Sequence, residues 1–449
     1  LYAESLVEEA YPYHVYDVLD ILYAHKEKFI QRMNSSITHS IGRNTSRVYY
    51  DVTNFFFEIG EADEDEEIDG EMVKGLRQKG VSKENRREPI VQMGLFLDDN
   101  GIPITIEAFP GNTLDQATLR PALKKSFSGL DVPRYILVAD RGLCSYKNIC
   151  YLLKDQQGYI VSKSIRKTKA DERAWILDTE GYISQGEGFR YKARRITRSV
   201  IDEEHRKQEF TEQVVVYWSK KFYDREYHEH KRFLDFIQKL KENPSAFRVT
   251  ATQTRNLKRF FKKDVVDKET GEILDSRKLL AMLDEEKLEE FTASMGYYQI
   301  VTSETEMHPL DVIEAYHGLT RIEDQFRVMK GTLETRPLYV RTREHIKAHL
   351  LLCMMALTML RIVQKQIVDS QKIKKSKSRY WSYGLSGSRV QEALTRWKVE
   401  MLPGDLYRFC DTDENDVALV LAAFGIHIEP RLYTRGELRK LKSSIKALV

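Results

Sequence analysis

The sequence predicts an α/β fold: a mixed, partly parallel sheet with helices on its faces, interrupted by a large inserted domain before the helix that carries Glu323. Three observations predict it. Residues 48–57 are rich in β-branched and aromatic side chains, and residues 90–97 and 102–109 are two further strand-like runs joined by Asp98-Asp99-Asn100-Gly101, a hairpin signal. Residues 135–139 form an apolar run ending at Asp140, as a central strand buried on both faces requires. Residues 163–291 then differ in character, being basic and strand-prone first and helical later.

The elements follow in order. Residues 1–43 place Val15, Val18, Leu19, Ile21 and Leu22 at helical spacing. The strand over 48–57 contains Asp51, and an acidic loop over 61–69 separates it from the hairpin. A helix over 119–127 leads to the strand ending at Asp140; Arg141-Gly142 makes a turn, Ser145 caps a helix over 146–153, and 159–161 is a strand. Three antiparallel strands, a helix, a strand, a helix and a strand is the order of the ribonuclease-H-like fold. In the insertion, 213–218 reads as a strand and 227–242 as a helix. A strand at 297–302 and helices over 309–333 and 344–368 follow. The expected organisation is thus a helical segment 1–43, core 44–162, inserted domain 163–296, core 297–368 and a mostly helical region 369–449.

Composition narrows the function. At 449 residues and 52.6 kDa, with 42% hydrophobic residues, the chain suits a globular protein of two or three domains. Its net charge of +3 conceals an acidic run set against basic clusters: Lys163, Arg166, Lys167 and Lys169; Arg190, Lys192, Arg194, Arg195 and Arg198; Lys258, Arg259, Lys262 and Lys263; and residues 372–379. Any one of these reads as a solvated face, but together they favour a nucleic-acid partner. Cys144, Cys150, Cys353 and Cys410 fit neither a zinc site nor a disulfide framework and read as reduced thiols of a cytoplasmic, nucleoid-associated protein. No secretory signal opens the sequence. The longest apolar run, 350–360, stops at Arg361, short of the roughly 20 residues a membrane span needs. Walker A, dinucleotide and nucleophile-elbow motifs are lacking, so no nucleotide cofactor is expected. His228-Glu229-His230 reads as an exposed polar helix start rather than a metal site.

Three acids carry the chemistry. Asp51 alone reads more readily as an edge-strand carboxylate facing water, and Asp140 equally well as a turn or helix cap. Glu323 shares a helical stripe with Tyr316, Leu319, Phe326 and Lys330; its simpler role is an i,i+4 pair with Arg327, worth about 0.2–0.5 kcal/mol. Jointly they say more. In the proposed topology the strands of Asp51 and Asp140 are adjacent, facing carboxylates repel, and a divalent cation relieves the repulsion. Oxygen-only ligands favour Mg²⁺, with Mn²⁺ as substitute. Glu323 would complete a site for two ions about 3.5–4 Å apart, suited to phosphoryl transfer.

Tyr50-Asp51-Val52-Thr53-Asn54, Val138-Ala139-Asp140-Arg141-Gly142 and the stretch from Tyr316 to Lys330 resemble the three catalytic blocks of bacterial insertion-sequence DDE transposases. More narrowly they resemble the insertion-sequence-four-like branch with a Tyr-x2-Arg-x3-Glu-x6-Lys signature. Tyr316, Glu323 and Lys330 match at that spacing, and Leu319 stands at the arginine position, with Arg321 and Arg327 as nearby substitutes. The resemblance implies Asp51, Asp140 and Glu323 as catalytic metal ligands. It implies nicking at transposon ends, 3′-hydroxyl attack on target DNA, and a hairpin at the excised end in some members. Lys330 would contact a phosphate, Tyr316 would position the backbone, and a homodimer would pair two double-stranded DNA ends. Arg336 and Arg341 are further candidate DNA contacts. Trp218, Tyr223, Phe260 and Phe261 could stack on a DNA end or a displaced base, though core packing is their simpler role. The competing readings are a ribonuclease-H-like nuclease or resolvase without strand transfer, and a catalytically inactive, domesticated DNA-binding protein.

Overall fold

The computed structural model describes residues 12–68, 70–81, 87–127, 130, 132–143, 145–202, 204–243, 260, 280, 283–370, 384–410, 412 and 415–448. Cys144, Phe261, the basic groups Lys258, Arg259, Lys262 and Lys263 and residues 372–379 lie outside them. Two compact units are present: Leu1–Tyr159 with Ile201–Gln208 and Glu314–Val449, and Ile160–Val200 with Glu209–Ile313.

In the first unit the expected N-terminal helix is two helices, α1 (Pro12–Ala24) and α2 (Lys26–Ile41). The break falls at His25, whose φ of −119° and ψ of 20° leave the helical region. Strand β1 (Arg47–Phe56) follows. The acidic segment is not all loop: β2 (Glu66–Ile68) and β3 (Glu71–Val73) pair as a short ribbon. The hairpin of β4 (Ile90–Leu97) and β5 (Pro103–Pro110) turns where the sequence indicated. Then come α3 (Asp115–Ser126), β6 (Ile136–Ala139), α4 (Tyr146–Lys154) and β7 (Gly158–Lys163). The Ser145 Oγ caps α4 by accepting from the Asn148 N–H at 3.3 Å.

Strand order is β5-β4-β1-β6-β7, with β5, β4 and β1 mutually antiparallel and β1 parallel to β6. This is the ribonuclease-H-like arrangement. All eight positions of β4 are buried, so both its faces are covered. In β1 the burial is broken only at Arg47 and Asp51. Asp51 is thus a half-buried carboxylate in a strand whose other positions after Arg47 are buried.

The second unit contains residues 160–163 of β7, then α5 (Ala170–Leu177), β8 (Ile183–Ser184), β9 (Phe189–Ile201), β10 (Lys207–Ser219), α6 (Lys220–Glu242), α7 (Glu285–Ala293) and β11 (Tyr297–Thr302). Its strands run β7-β11-β10-β9-β8. Phe236, Ile237, Leu240, Phe260 and Phe291 form its core, and the Trp218 indole N–H donates to the Met295 carbonyl at 3.2 Å. Its basic cluster over 190–198 is engaged internally. The Arg190 guanidinium lies over the Tyr182, Trp218 and Tyr297 rings, Lys192 and Arg194 over Trp175, and Arg198 reaches both Glu172 and Glu212. Over 190–198 the charge is thus met by partners within the unit, while Arg166, Lys167 and Lys169 are exposed.

From α8 (Pro309–His317) the chain returns to the first unit as α9 (Thr320–Lys330) and α10 (Arg343–Ser370). One helix over 309–333 was expected; it breaks at Gly318-Leu319. A Cβ on Gly318 would sit 2.3 Å from the Tyr49 hydroxyl oxygen, so glycine permits the close approach of this corner to β1. Among the described residues α10 is the helix long and apolar enough to cross a membrane, and 56% of its most apolar window is buried. It packs on α1, β5 and α9. The C-terminal region adds α11 (Gly387–Arg396), β12 (Val399–Leu402), β13 (Leu406–Phe409), α12 (Asn415–Ala423), β14 (Tyr433–Thr434) and α13 (Arg435–Leu448). Its three strands form a small sheet within the region expected to be mostly helical.

Candidate active site

Register places the first two acids. β1 and β6 run parallel with Tyr49 opposite Val138 and Tyr50 opposite Ala139, so Asp51 and Asp140 are the next residues of adjacent strands. Parallel neighbours in register point to the same face, with strands about 4.8 Å apart. Asp51 is half-buried within β1, and Asp140 is exposed as the first residue past β6. The Asp140 carbonyl accepts from the Leu143 N–H at 3.0 Å, closing the turn read from Arg141-Gly142. Its carboxylate accepts a hydrogen bond from the Tyr316 hydroxyl at 3.0 Å.

Alternation puts Tyr49, Asp51, Thr53 and Phe55 on one face of β1, and α9 runs along that face. The Arg321 guanidinium carbon is 5.7 Å from the Tyr49 ring centroid, and the Lys330 ammonium is 5.7 Å from that of Phe55. Asp51 lies between these two tyrosine and phenylalanine rings, as Glu323 lies between Arg321 and Lys330. Glu323 and Lys330 are seven residues apart and share one flank of α9. The buried positions Ile322, Gln325, Phe326 and Met329 fix which side of the helix meets the protein. Glu323 is exposed beside that side. Among the described residues no three His, Cys, Asp or Glu side chains are gathered closely enough to hold one ion. The register pair itself offers oxygen-only donors at a solvent-open rim, which fits a hard divalent cation.

Around the acids, Tyr49 donates to Asp99 at 3.3 Å, and burial with that carboxylate pushes its phenol up to about 12. The Asp98 carboxyl, pushed up to about 6 by burial, accepts from Arg43 at 3.2 Å and from the Ile102 N–H at 2.8 Å. A cavity of about 680 Å³ is bordered by Thr53, Asn54, Gln116 and Gly142.

The remaining candidates scatter. Arg321 donates to the Asp99 carbonyl and lies 3.6 Å from its carboxylate. Arg327 pairs with Asp324 at 3.2 Å, Arg336 stacks over Phe56, and Arg341 is exposed. Sequence reasoning did not anticipate the Asp98-Asp99 turn as an anchor for Arg43, Arg47 and Arg321. The signal was present in two consecutive acids at a hairpin tip, but their partners come from distant segments.

Tyr316→Phe removes one hydrogen bond to Asp140 without changing shape. At this open position the expected loss in single-turnover cleavage is about tenfold, the lower end for a bond to a charged group. An unchanged rate would show that the hydroxyl has no part in the reaction.

A ribonuclease-H-like sheet with one acid inside a central strand and a second just past the end of its parallel neighbour is the framework of the DDE recombinase class. The family model for the transposase DDE domain matches residues 67–359. The chain belongs to that family. The matched span includes Asp140 and Glu323 and begins after Asp51. Among solved structures, the chain is similar to the piggyBac transposase synaptic complex with hairpin DNA, at 7% identity and a TM-score of 0.35 over 90% of this chain. It spans 58% of that chain's length. No curated protein matches the sequence.

Proposed function

We propose that this protein is a cut-and-paste DNA transposase that nicks transposon ends and joins the freed 3′-hydroxyl to target DNA. The observation that carries the proposal is the in-register pair Asp51 and Asp140, at the one break in the buried pattern of β1 beyond its first residue. Asp51, Asp140 and Glu323 would hold Mg²⁺ or Mn²⁺, in two-ion form if Glu323 swings toward the pair. Bound there, the metal supplies Lewis-acid activation of a water or 3′-hydroxyl and charge neutralisation at the scissile phosphate. Tyr316 would orient the Asp140 carboxylate and the DNA backbone, and Lys330 would hold a phosphate on the Glu323 flank. Arg327, Arg336 and Arg341 are accessible enough to add backbone contacts, whereas Arg321 is committed largely to Asp99. Double-stranded ends brought together for joining call for two copies of the chain.

The test is incubation with the element's own terminal DNA and either ion. Metal-dependent nicks with joined products are expected. Nicks that never join would favour a nuclease or resolvase, and binding without nicks an inactive descendant. Lys330→Ala should weaken end binding and flatten its salt dependence by about one unit of log–log slope, the share of one phosphate contact. An unchanged slope would remove Lys330 from the DNA.

A further inference from the structure

In the sequence Arg361 marks the end of the apolar run 350–360. Arg361 lies in α10 and is 1% exposed, among the largest fully buried side chains of the described residues. A buried guanidinium is expensive, and an apolar side chain of similar volume commonly serves stability as well or better. Burial pulls its pKa down while Asp324 opposes the fall.

Its partners suggest why the charge is kept. Nε donates to the Gln325 side-chain oxygen at 2.6 Å, Nη2 to the Asp324 carboxylate at 2.8 Å, and Nη1 to Gln364 at 2.6 Å. Asp324 and Gln325 directly follow Glu323. Gln325 is itself fully buried and donates to the Gly101 carbonyl at 3.1 Å, in the turn that also receives Arg321. Gln364 passes the chain of bonds on to the Leu385 carbonyl at 2.7 Å. A planar fork gripping two consecutive helical residues resists both rotation and sliding of the helix. A slip of one residue would turn Glu323 by about 100°. Asp51 and Asp140 stand on paired strands and have no such dependence.

We propose that Arg361 is a positioning residue for Glu323, fixing from the core the helical turn on which that carboxylate stands. The proposal rests on the reading of Asp51, Asp140 and Glu323 as metal-binding acids. It is tested by loading the full-length protein with Fe²⁺ and generating hydroxyl radicals with ascorbate and peroxide, which cut the polypeptide near the bound ion. Wild type should give fragments ending near Asp51, Asp140 and Glu323. Arg361→Met should keep the first two and lose the third, and the Mg²⁺ concentration for half-maximal DNA cleavage should rise about tenfold or more, as when an outer-shell partner is lost. Arg361→Lys, able to reach Asp324 alone, should restore part of both. If Arg361→Met does not fold by circular dichroism, Asp324→Asn, which keeps shape and drops the charge, is read in its place. A wild-type Glu323 fragment in a folded variant, or equal loss of all three fragments, overturns the positioning role. Absence of all three fragments in wild type overturns instead the metal reading beneath it.

Discussion

Asp140→Ala should abolish metal-dependent strand cleavage, by about 10³-fold or more, while leaving DNA binding nearly intact. The magnitude follows from removing one of two facing carboxylates, since metal stabilisation of developing charge is worth several kcal/mol and each 1.36 kcal/mol is tenfold in rate. Folding should survive, because Asp140 is exposed and lies just beyond β6 rather than within it. A gel assay for nicked product beside a mobility-shift assay separates the two effects. Cleavage within tenfold of wild type would take Asp140 out of the reaction and leave the register pair without a catalytic meaning.

Phe96→Ala should be the most destabilising single truncation of the sheet, costing about 3–5 kcal/mol. Phe96 is fully buried in β4, its ring 4.4 Å from that of Tyr50 and 5.0 Å from that of Phe127. It pairs across the ladder with Tyr50, the residue before Asp51. Removing the ring opens a cavity under the strand that carries the candidate acid, so the thermal midpoint should fall by about 6–10 °C at about 2 °C per kcal/mol, the low end that suits a unit of this size. Phe96→Leu, which refills most of the space, should lose less than half as much. A shift of the alanine variant below about 2 °C would mean that the neighbours collapse into the space, contrary to close packing on both faces of β4.

Much of the fold was legible because its signals are local. Strand composition, the Asp98-Asp99-Asn100-Gly101 turn, the Ser145 cap and the apolar run ending at Asp140 depend on period and turn chemistry within a few residues, and each stands in the structure. What failed also failed for a reason. A continuous helical period over 309–333 hides the need for Gly318 to approach Tyr49, a contact 269 positions away in the chain. The basic cluster over 190–198 resembles a cationic surface until the fold supplies Trp175, Glu172 and Glu212 as its partners.

By itself, then, the sequence determined the order of the main strands and helices over residues 47–163 and named Asp51, Asp140 and Glu323 as the acids to consider. Tertiary structure alone decided that Tyr50 stands opposite Ala139, which turns two acids into a facing pair. It alone decided that α9 runs along the Asp51 face of β1, and that Arg361 is buried against the two residues after Glu323. Periodicity and turns are properties of neighbouring residues, whereas register, helix docking and the pairing of a buried charge are set by contacts between segments far apart in the chain.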